Sequence, residues 1–434
     1  MFIASVLGKF TTSRIIVYHC FFKRKYSNSN QIFINGKSYE VDSWTNVTPK
    51  IISYIGKNLH LQKSHPLSLL RERITNFFYF HYKNNRGNPL FSVYDNLYPI
   101  VTVEQNFDNL LVPEDHVSRN KSDCYYLNSK YLLRGHSSAH ENELIQSGLD
   151  NFLIFSDVYR RDQIDSSHYP VFHQVEGVRL FLRHELFSLN PDAEGSIDVF
   201  EKGVRTETKQ EVHTYDAARV VEYSLKSSLT ALVRHLFGQN AEVRWVDAYF
   251  PFTHPSFELE MKFNGEWMEL LGCGVLEHQT LVKAGVEDKI GWAFGIGLER
   301  LAMILYNIPD IRLFWSTDPG FLNQFNVSDI NTNVKYKPIS IYPPCPNDIS
   351  FWLPGNADEF SDNDFYDLVR TVAGDVVEQV NLVDKFYHPK KKLYSRTYRI
   401  VYRHMEKTLT QEEVNKVHRL VEEAAERSLE VKIR

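Results

Sequence analysis

A chain of 434 residues with 43% hydrophobic and 14% aromatic side chains can build two or three packed cores, which excludes disorder for most of its length. Its 49 Lys and Arg against 54 Asp and Glu leave a formal net charge of −5, so no global basic field draws it to nucleic acid and any RNA binding must use local patches. Four cysteines, Cys20, Cys124, Cys273 and Cys345, lie far apart without a C-x-x-C pair, which argues against a disulfide framework or a structural zinc site and for a reducing setting.

Before Glu40 no acidic residue occurs, while Lys9, Arg14, Lys23, Arg24, Lys25 and Lys37 stand among hydroxyl and apolar residues. That is the composition of a mitochondrial transit peptide, expected over residues 1–30, with a matrix destination. A disordered basic tail and an RNA-touching arm are the alternatives. No run approaches the roughly 18 apolar residues that span a bilayer, so the mature protein is expected to be soluble.

After an N-terminal extension (31–57), the stretch Asn58–Tyr82 places Leu69, Leu70, Ile74 and Phe77 at helical spacing. Extended segments follow at Phe91–Tyr94, Pro99–Val103, Asn151–Tyr159, Arg244–Phe252 and Ser256–Phe263, rich in β-branched and aromatic residues. Helical patterns flank them at Gln210–Phe237 and Leu298–Tyr306. Strands and helices do not alternate regularly, so a largely antiparallel sheet is expected rather than a doubly wound one. The large unit is placed at 58–325, a linker at 326–341 and a small domain at 342–434, with four prolines between Pro343 and Pro354 at the boundary. The small domain reads strand (Asp348–Trp352), helix (Asn363–Gly374), strands (Val376–His388, Thr397–Arg403) and a last helix opened by the capping box Thr410-Gln411-Glu412-Glu413. This order suggests a split βαβ, ferredoxin-like fold.

Four clusters carry chemistry. Asp157-Val158-Tyr159-Arg160-Arg161-Asp162, a polar loop to His168, and His173-Gln174-Val175-Glu176 would aim charged groups at one sheet face, where a planar arginine fork suits phosphate; a solvated surface hairpin explains them equally. Gly291 to Leu301 combines glycines with Arg300 at a helix start but is not a dinucleotide fingerprint, because Arg300 stands where a third glycine belongs. Phe250-Pro251-Phe252, with Trp245 and Trp267 nearby, could line a pocket for an aromatic ligand or simply be core. Arg134-Gly135-His136-Ser137-Ser138-Ala139-His140 offers hydroxyls and imidazoles at a strand–helix junction, with helix capping as the alternative.

Tyr159-Arg160-Arg161-Asp162 and Gly295-Ile296-Gly297-Leu298-Glu299-Arg300 resemble motifs 2 and 3 of the class II aminoacyl-tRNA synthetases. Asn106-Phe107-Asp108, Pro113-Glu114-Asp115-His116, His173-Gln174-Val175-Glu176, Phe250-Pro251-Phe252 and Gly291-Trp292-Ala293-Phe294 resemble more narrowly the phenylalanine-specific family, in its single-chain mitochondrial form, from about Asn58 to the C-terminus. Val117 stands where relatives place proline, and Asp162 where the general pattern has Glu.

The resemblance implies an α+β protein: an antiparallel-sheet catalytic domain flanked by helices, followed by a ferredoxin-like anticodon-binding domain. It implies a ligase that activates phenylalanine with ATP to an adenylate and transfers it to tRNA(Phe), releasing AMP and pyrophosphate. Arg160 would bind the α-phosphate and Arg300 the γ-phosphate; Phe172 and Arg300 would sandwich adenine, and Ser166, Ser167 and His168 would close over ATP beside His173, Gln174 and Val175. Glu269 would serve the nucleotide and Mg²⁺. His136, Ser138, Gln174 and Glu176, within the stretch that includes Ser137, Ala139 and His140, would fix the amino acid's polar groups; Phe250 and Phe252 would pack on its ring, over a floor of Ala293 and Phe294. Lys390, Lys391, Lys392, Arg396, Arg399 and Arg403, interleaved with Tyr387, Tyr394, Tyr398 and Tyr402, form a local basic patch for tRNA or one solvated strand face. A monomer without membrane contact is expected, with no room for a separate editing domain. The competing readings are a non-catalytic tRNA-binding paralogue and an enzyme loading a carrier protein.

Overall fold

A computed structural model describes residues 31–189, 198–338, 342–355, 357, 360–405 and 407–434, so the expected transit peptide lies outside the described residues. The strands are β1 (Gln31–Ile34), β2 (Lys37–Glu40), β3 (Ser92–Tyr94), β4 (Ile100–Thr102), β5 (Tyr131–Leu133), β6 (Asn151–Tyr159), β7 (Val171–Phe181), β8 (Val243–Phe250), β9 (Thr253–Phe263), β10 (Glu266–Leu276) and β11 (Ile290–Gly297). In the small domain they are β12 (Cys345–Trp352), β13 (Val377–His388), β14 (Leu393–Tyr402) and β15 (Lys432–Ile433).

Seven strands form the main sheet in the order β3-β6-β7-β11-β10-β9-β8, antiparallel except where β3 meets β6. One face is packed under helices. The helix Pro66–His81 begins with proline at its first position, where no N–H is needed, and buries Leu67, Leu70, Ile74, Phe77 and Phe78. The helix Tyr215–Phe237 is capped by the Thr214 side chain and buries Ala217, Val221, Leu225, Leu229, Leu232 and Leu236, a period of three to four. It starts five residues later than the sequence pattern suggests, at the Thr214 cap, while the Gln210 side chain donates to the carbonyls of His254 and Leu276. Helix Leu298–Tyr306 completes this layer.

Two hairpins escape the sequence reading, and both are announced by Asn-Gly. Asn35-Gly36 joins β1 to β2 with φ of 48° and 80°, and Asn264-Gly265 joins β9 to β10 with 52° and 89°, the pair of left-handed residues that a tight hairpin requires. Residues 31–57 are not a loose extension: Ile32, Ile34, Tyr39, Val47, Ile51 and Tyr54 are buried in the large core.

The small domain is a four-stranded antiparallel sheet, β13-β14-β12-β15, under the helices Asp362–Ala373 and Gln411–Ser428. Thr410 and Glu413 form the expected capping box. Its first helix grips the loop after β6: Arg161 reaches Asp367 at 2.5 Å and Asp364 at 2.7 Å, and the Tyr125 hydroxyl donates to Asp367 at 2.8 Å. The Tyr169 hydroxyl donates to Asp375 at 2.8 Å on the same seam. Among the described residues no helix is long and apolar enough to cross a membrane.

Candidate active site

Strand alternation decides which side chains reach the open face of the main sheet. On β7, Phe172, Gln174 and Glu176 point one way and His173 and Val175 the other. Register then builds a row across the sheet: Ile154 on β6, Glu176 on β7, Gly295 on β11, Gly272 on β10 and Glu258 on β9. The two central glycines lower the floor. A Cβ on Gly295 would meet nothing within 4 Å, so that space is open, whereas one on Gly272 would lie 2.7 Å from Phe250 Cζ. The Phe250 ring therefore rests on Gly272, stacked with Phe252 at 6.3 Å, and Phe252 stacks with His136 at 6.5 Å.

Beside this aromatic wall lies a cleft of about 330 Å³, lined by Arg160, Asp162, Ser167, His168, Phe172, Gln174, Glu269, Gly295, Gly297 and Arg300, among others. Arg160, just past the end of β6, donates from Nε to the Gly135 carbonyl at 2.8 Å and lays its guanidinium over Phe172 at 5.2 Å. Arg300, in the first turn of Leu298–Tyr306, faces it across the cleft from β10, with Nη1 at 3.2 Å from the Glu269 carbonyl and 3.4 Å from its carboxylate. Glu258 is raised from the ordinary carboxylic range by burial and then by neighbouring Glu269 and Glu260. This excess of negative charge next to a phosphate-sized opening is where a cation accompanying a polyphosphate would bind. Among the described residues no group of three or more His, Cys, Asp or Glu forms a metal cage.

At the deeper end, Ser137 donates from its backbone N to Gln174 Oε1 at 3.2 Å and pairs its hydroxyl with Ser156 at 2.8 Å. Ser138 donates its hydroxyl to Glu176. Burial, with Arg160 next, pushes the His136 imidazole down to about 3, so it is neutral. Burial pushes Glu176 up to about 7.

Behind the cleft, a buried ion pair and a buried histidine–glutamate hydrogen bond hold these groups. Arg134, 1% exposed, bonds the Asp157 carboxylate, the Asp157 and Leu97 carbonyls and His140. Burial penalises the Asp157 charge, but Arg134, the Tyr159 hydroxyl and His173 together outweigh it and keep the carboxyl below its usual range. His173 bonds Glu299 twice, from Nδ1 at 2.7 Å and backbone N at 2.8 Å, tying β7 to the helix that carries Arg300.

Several expected ligand contacts are thereby corrected. His173 and Val175 face the core, since alternation sends them away from the cleft. Phe294 also faces the core, stacked on Phe78 at 5.8 Å and filling the place where a Gly177 side chain would be; Ala293 alone is on the cleft side. His140 is consumed by Arg134 and Glu143, and Ala139 packs with Val101, Phe107 and Leu110. Ser166 is exposed, and its carbonyl is pinned by the Ile311 N–H. Ser167 and His168 do line the cleft, in a loop folded around Asp165. Glu141 has no place in the sequence reading, and Asp162 and Glu258 stand in its clusters without a role; strand alternation carries the signal for Glu258, which shares a face with Glu260.

On the small domain, Arg396 is 6% exposed and bonds Asp362 and the carbonyls of Ala357 and Phe360, so it cannot reach RNA. Tyr398 and Tyr402 are core residues for the same reason: even-numbered positions of β14 point inward. Arg399 is held by Asp348 and Arg403 by Glu378. Lys385, Lys390, Lys391 and Lys392 are exposed around the β13–β14 turn, beside Phe386 and Tyr387.

The sequence matches the family described as tRNA synthetases class II core domain (F) over residues 50–210 and 211–325, and the ferredoxin-fold anticodon binding domain over 340–434. It is 60% identical to the mitochondrial phenylalanine–tRNA ligase of Mus musculus, over 90% of this chain and 86% of that one. A probable mitochondrial phenylalanine–tRNA ligase of Drosophila melanogaster is 55% identical over 94% of this chain and 93% of its own. The mitochondrial phenylalanine–tRNA ligase of Saccharomyces cerevisiae is 39% identical over 89% and 92%.

Proposed function

Since this chain belongs to the phenylalanine–tRNA ligases, within the class II aminoacyl-tRNA synthetases, we propose how its own residues divide the reaction. The enzyme activates phenylalanine with ATP to phenylalanyl-adenylate, passes the acyl group to tRNA(Phe), and releases pyrophosphate and AMP. It serves mitochondrial translation, and we place it in the matrix with residues 1–30 as the leader.

The observation that carries the assignment is the convergence of Arg160, Phe172, Gln174, Glu269 and Arg300 on one cleft next to the Phe250–Phe252–His136 wall. Arg160 is fixed by the Gly135 carbonyl and sits between wall and cleft, where the α-phosphate must meet the amino-acid carboxylate. It stabilises the negative charge that accumulates as that carboxylate attacks. Arg300 holds the γ-phosphate end, and the open face of Phe172, with Arg300, takes the adenine ring. Ser167 and His168 close the loop over the nucleotide. Glu269, with Glu258, would hold the Mg²⁺ accompanying ATP, whose charge neutralises the phosphates.

Phenylalanine lies with its ring against Phe250 and Phe252 over Ala293. His136, Ser138 and Gln174 orient its polar groups, and Glu176 faces its ammonium. No side chain acts as covalent nucleophile; rate comes from positioning and preorganised charge. An apolar pocket rejects a ring bearing one extra hydroxyl by only about 100-fold, so tyrosine is the nearest competitor. The lysines at the β13–β14 turn, with Arg399 on β14 and Arg403 just past its end, bind tRNA, and the enzyme works as a monomer.

Amino-acid-dependent ATP–pyrophosphate exchange tests the assignment across the twenty amino acids. Strong exchange with phenylalanine and weak exchange with tyrosine is expected. A pocket that exchanged tyrosine equally well would refute the placement of the aromatic wall.

A further inference from the structure

The deep end of the cleft contains a second carboxyl that the reaction as described leaves unused. Glu141 opens the short helix Glu141–Gln146, is 2% exposed, and has Oε2 buried without a hydrogen-bond partner. Within hydrogen-bonding reach of it is Glu176, 4% exposed, whose Oε1 likewise has no donor partner while Oε2 takes the Ser138 hydroxyl. Two carboxyls can face one another in a dry site only if a proton lies between them, because two buried like charges repel and neither is solvated.

The surroundings offer nothing else to hold a second negative charge. Among the described residues neither carboxyl has a basic ion-pair partner. From the turn before the helix come Ser138, the neutral His136, and His140, which is already bonded to Arg134 and Glu143. From β6 comes Ile154 and from β11 Gly295, the register neighbours of Glu176, neither of which titrates. Arg160 acts on His136, on the far side of the turn.

We propose that Glu141 is a positioning residue for the phenylalanine site: it keeps its proton and donates it to Glu176, fixing a single negative charge opposite the substrate's ammonium group. This rests on the reading of Glu176 as the ammonium partner. A single charge matches the single charge of the ligand, and the shared proton holds the Glu176 carboxylate in one rotamer. Burial raises both groups, and the Ser138 hydroxyl donated to Glu176 stabilises charge on that carboxyl, which leaves the proton on Glu141. Burial brings Glu176 to about 7, so phenylalanine binding weakens as the pH falls below that value and the pair becomes neutral.

The test measures KM for phenylalanine and kcat in ATP–pyrophosphate exchange between about pH 6 and about pH 8, with thermal melts to confirm folding. Glu141→Gln keeps a neutral donor in place. Its KM should stay within about threefold of the parent, with the acid limb retained. Glu141→Leu removes the donor: the limb should move to higher pH by about one unit and KM at neutral pH should rise about tenfold, kcat changing little. Glu176→Gln should raise KM at every pH and abolish the limb. If Glu141→Gln is as damaging as Glu176→Gln, Glu141 acts as a charge and the proposal fails. If Glu141→Leu leaves KM and its pH profile unchanged, it fails as well. A Glu176→Gln enzyme with unaltered KM would instead remove the ammonium assignment beneath it.

Discussion

The cleft and the β13–β14 turn both present cations to a polyanion, yet they hold them in opposite ways. In the cleft, Arg160 is tied to a backbone carbonyl and laid on an aromatic ring, and the elements beneath are locked by Arg134–Asp157 and His173–Glu299. At the turn, Lys385, Lys390, Lys391 and Lys392 are exposed, and among the described residues no acidic side chain pairs with them. The difference follows from the work. A transition state demands charge at one point, so reorganisation must be removed in advance. A phosphate backbone offers charge along its whole length, so mobile lysines suffice and affinity comes from counterion release.

The comparison is most severely tested at Arg160. Arg160→Ala should lower kcat for pyrophosphate exchange by about 10²–10³-fold, as loss of one preorganised donor does elsewhere. A loss below about tenfold would mean that the cleft's arginine is no more preorganised than the turn's lysines. Next comes the support beneath it. Arg134→Met strands Asp157 as a buried charge and should cost ~3–5 kcal/mol of unfolding free energy, measured by urea titration. An exposed lysine at the turn, replaced in the same way, should cost nothing measurable.

The turn itself is tested by the triple substitution of Lys390, Lys391 and Lys392 to Glu. Aminoacylation should fall by about tenfold and recover little at low salt, while exchange stays unchanged. Equal loss of both activities would place these lysines in the fold rather than on RNA. Ala293→Gly should admit para-substituted phenylalanines by opening the cleft side of β11, read as new exchange activity with those analogues. No gain would remove Ala293 from the ring site.

The smallest effect belongs to the loop between the two arginines. Hydrogen bonding to Asp165 raises His168 above its ordinary value, against the opposing effect of burial. A raised value means that the charged pair is fully formed below about pH 6.5 and is lost as pH climbs through the folded-state value. KM for ATP should therefore drift upward, about twofold, on the alkaline side, and His168→Gln should flatten that drift.

How much of this was legible beforehand depends on which physical signal was local. Asn151–Tyr159 and Leu298–Tyr306 are found at the residues where their periodicity placed them, because burial of one continuous apolar run or stripe is written into neighbouring positions. The capping box at Thr410 is equally local. Asn35-Gly36 and Asn264-Gly265 are equally local signals, but the first lies in a stretch interpreted for its composition and the second just past the segment Ser256–Phe263, so neither is read as a turn. The site was legible as strings but not as faces. His173-Gln174-Val175-Glu176 names four residues together, and the strand then sends two of them to the cleft and two to the core.

The sequence by itself determined the elements, the family, and the clusters from which the cleft is drawn, because capping, periodicity and motif spacing act over a few residues. Only the tertiary structure decided the partners. Arg396 looks like Lys390 in a string of basic residues, and it is the meeting of β14 with Asp362 and the carbonyls of Ala357 and Phe360 that buries it. Glu141 reads as an ordinary first-turn helix acid until β7 brings Glu176 against it. Whether a charge is spent or available depends on groups distant in the chain, and those meet only when the sheet has formed.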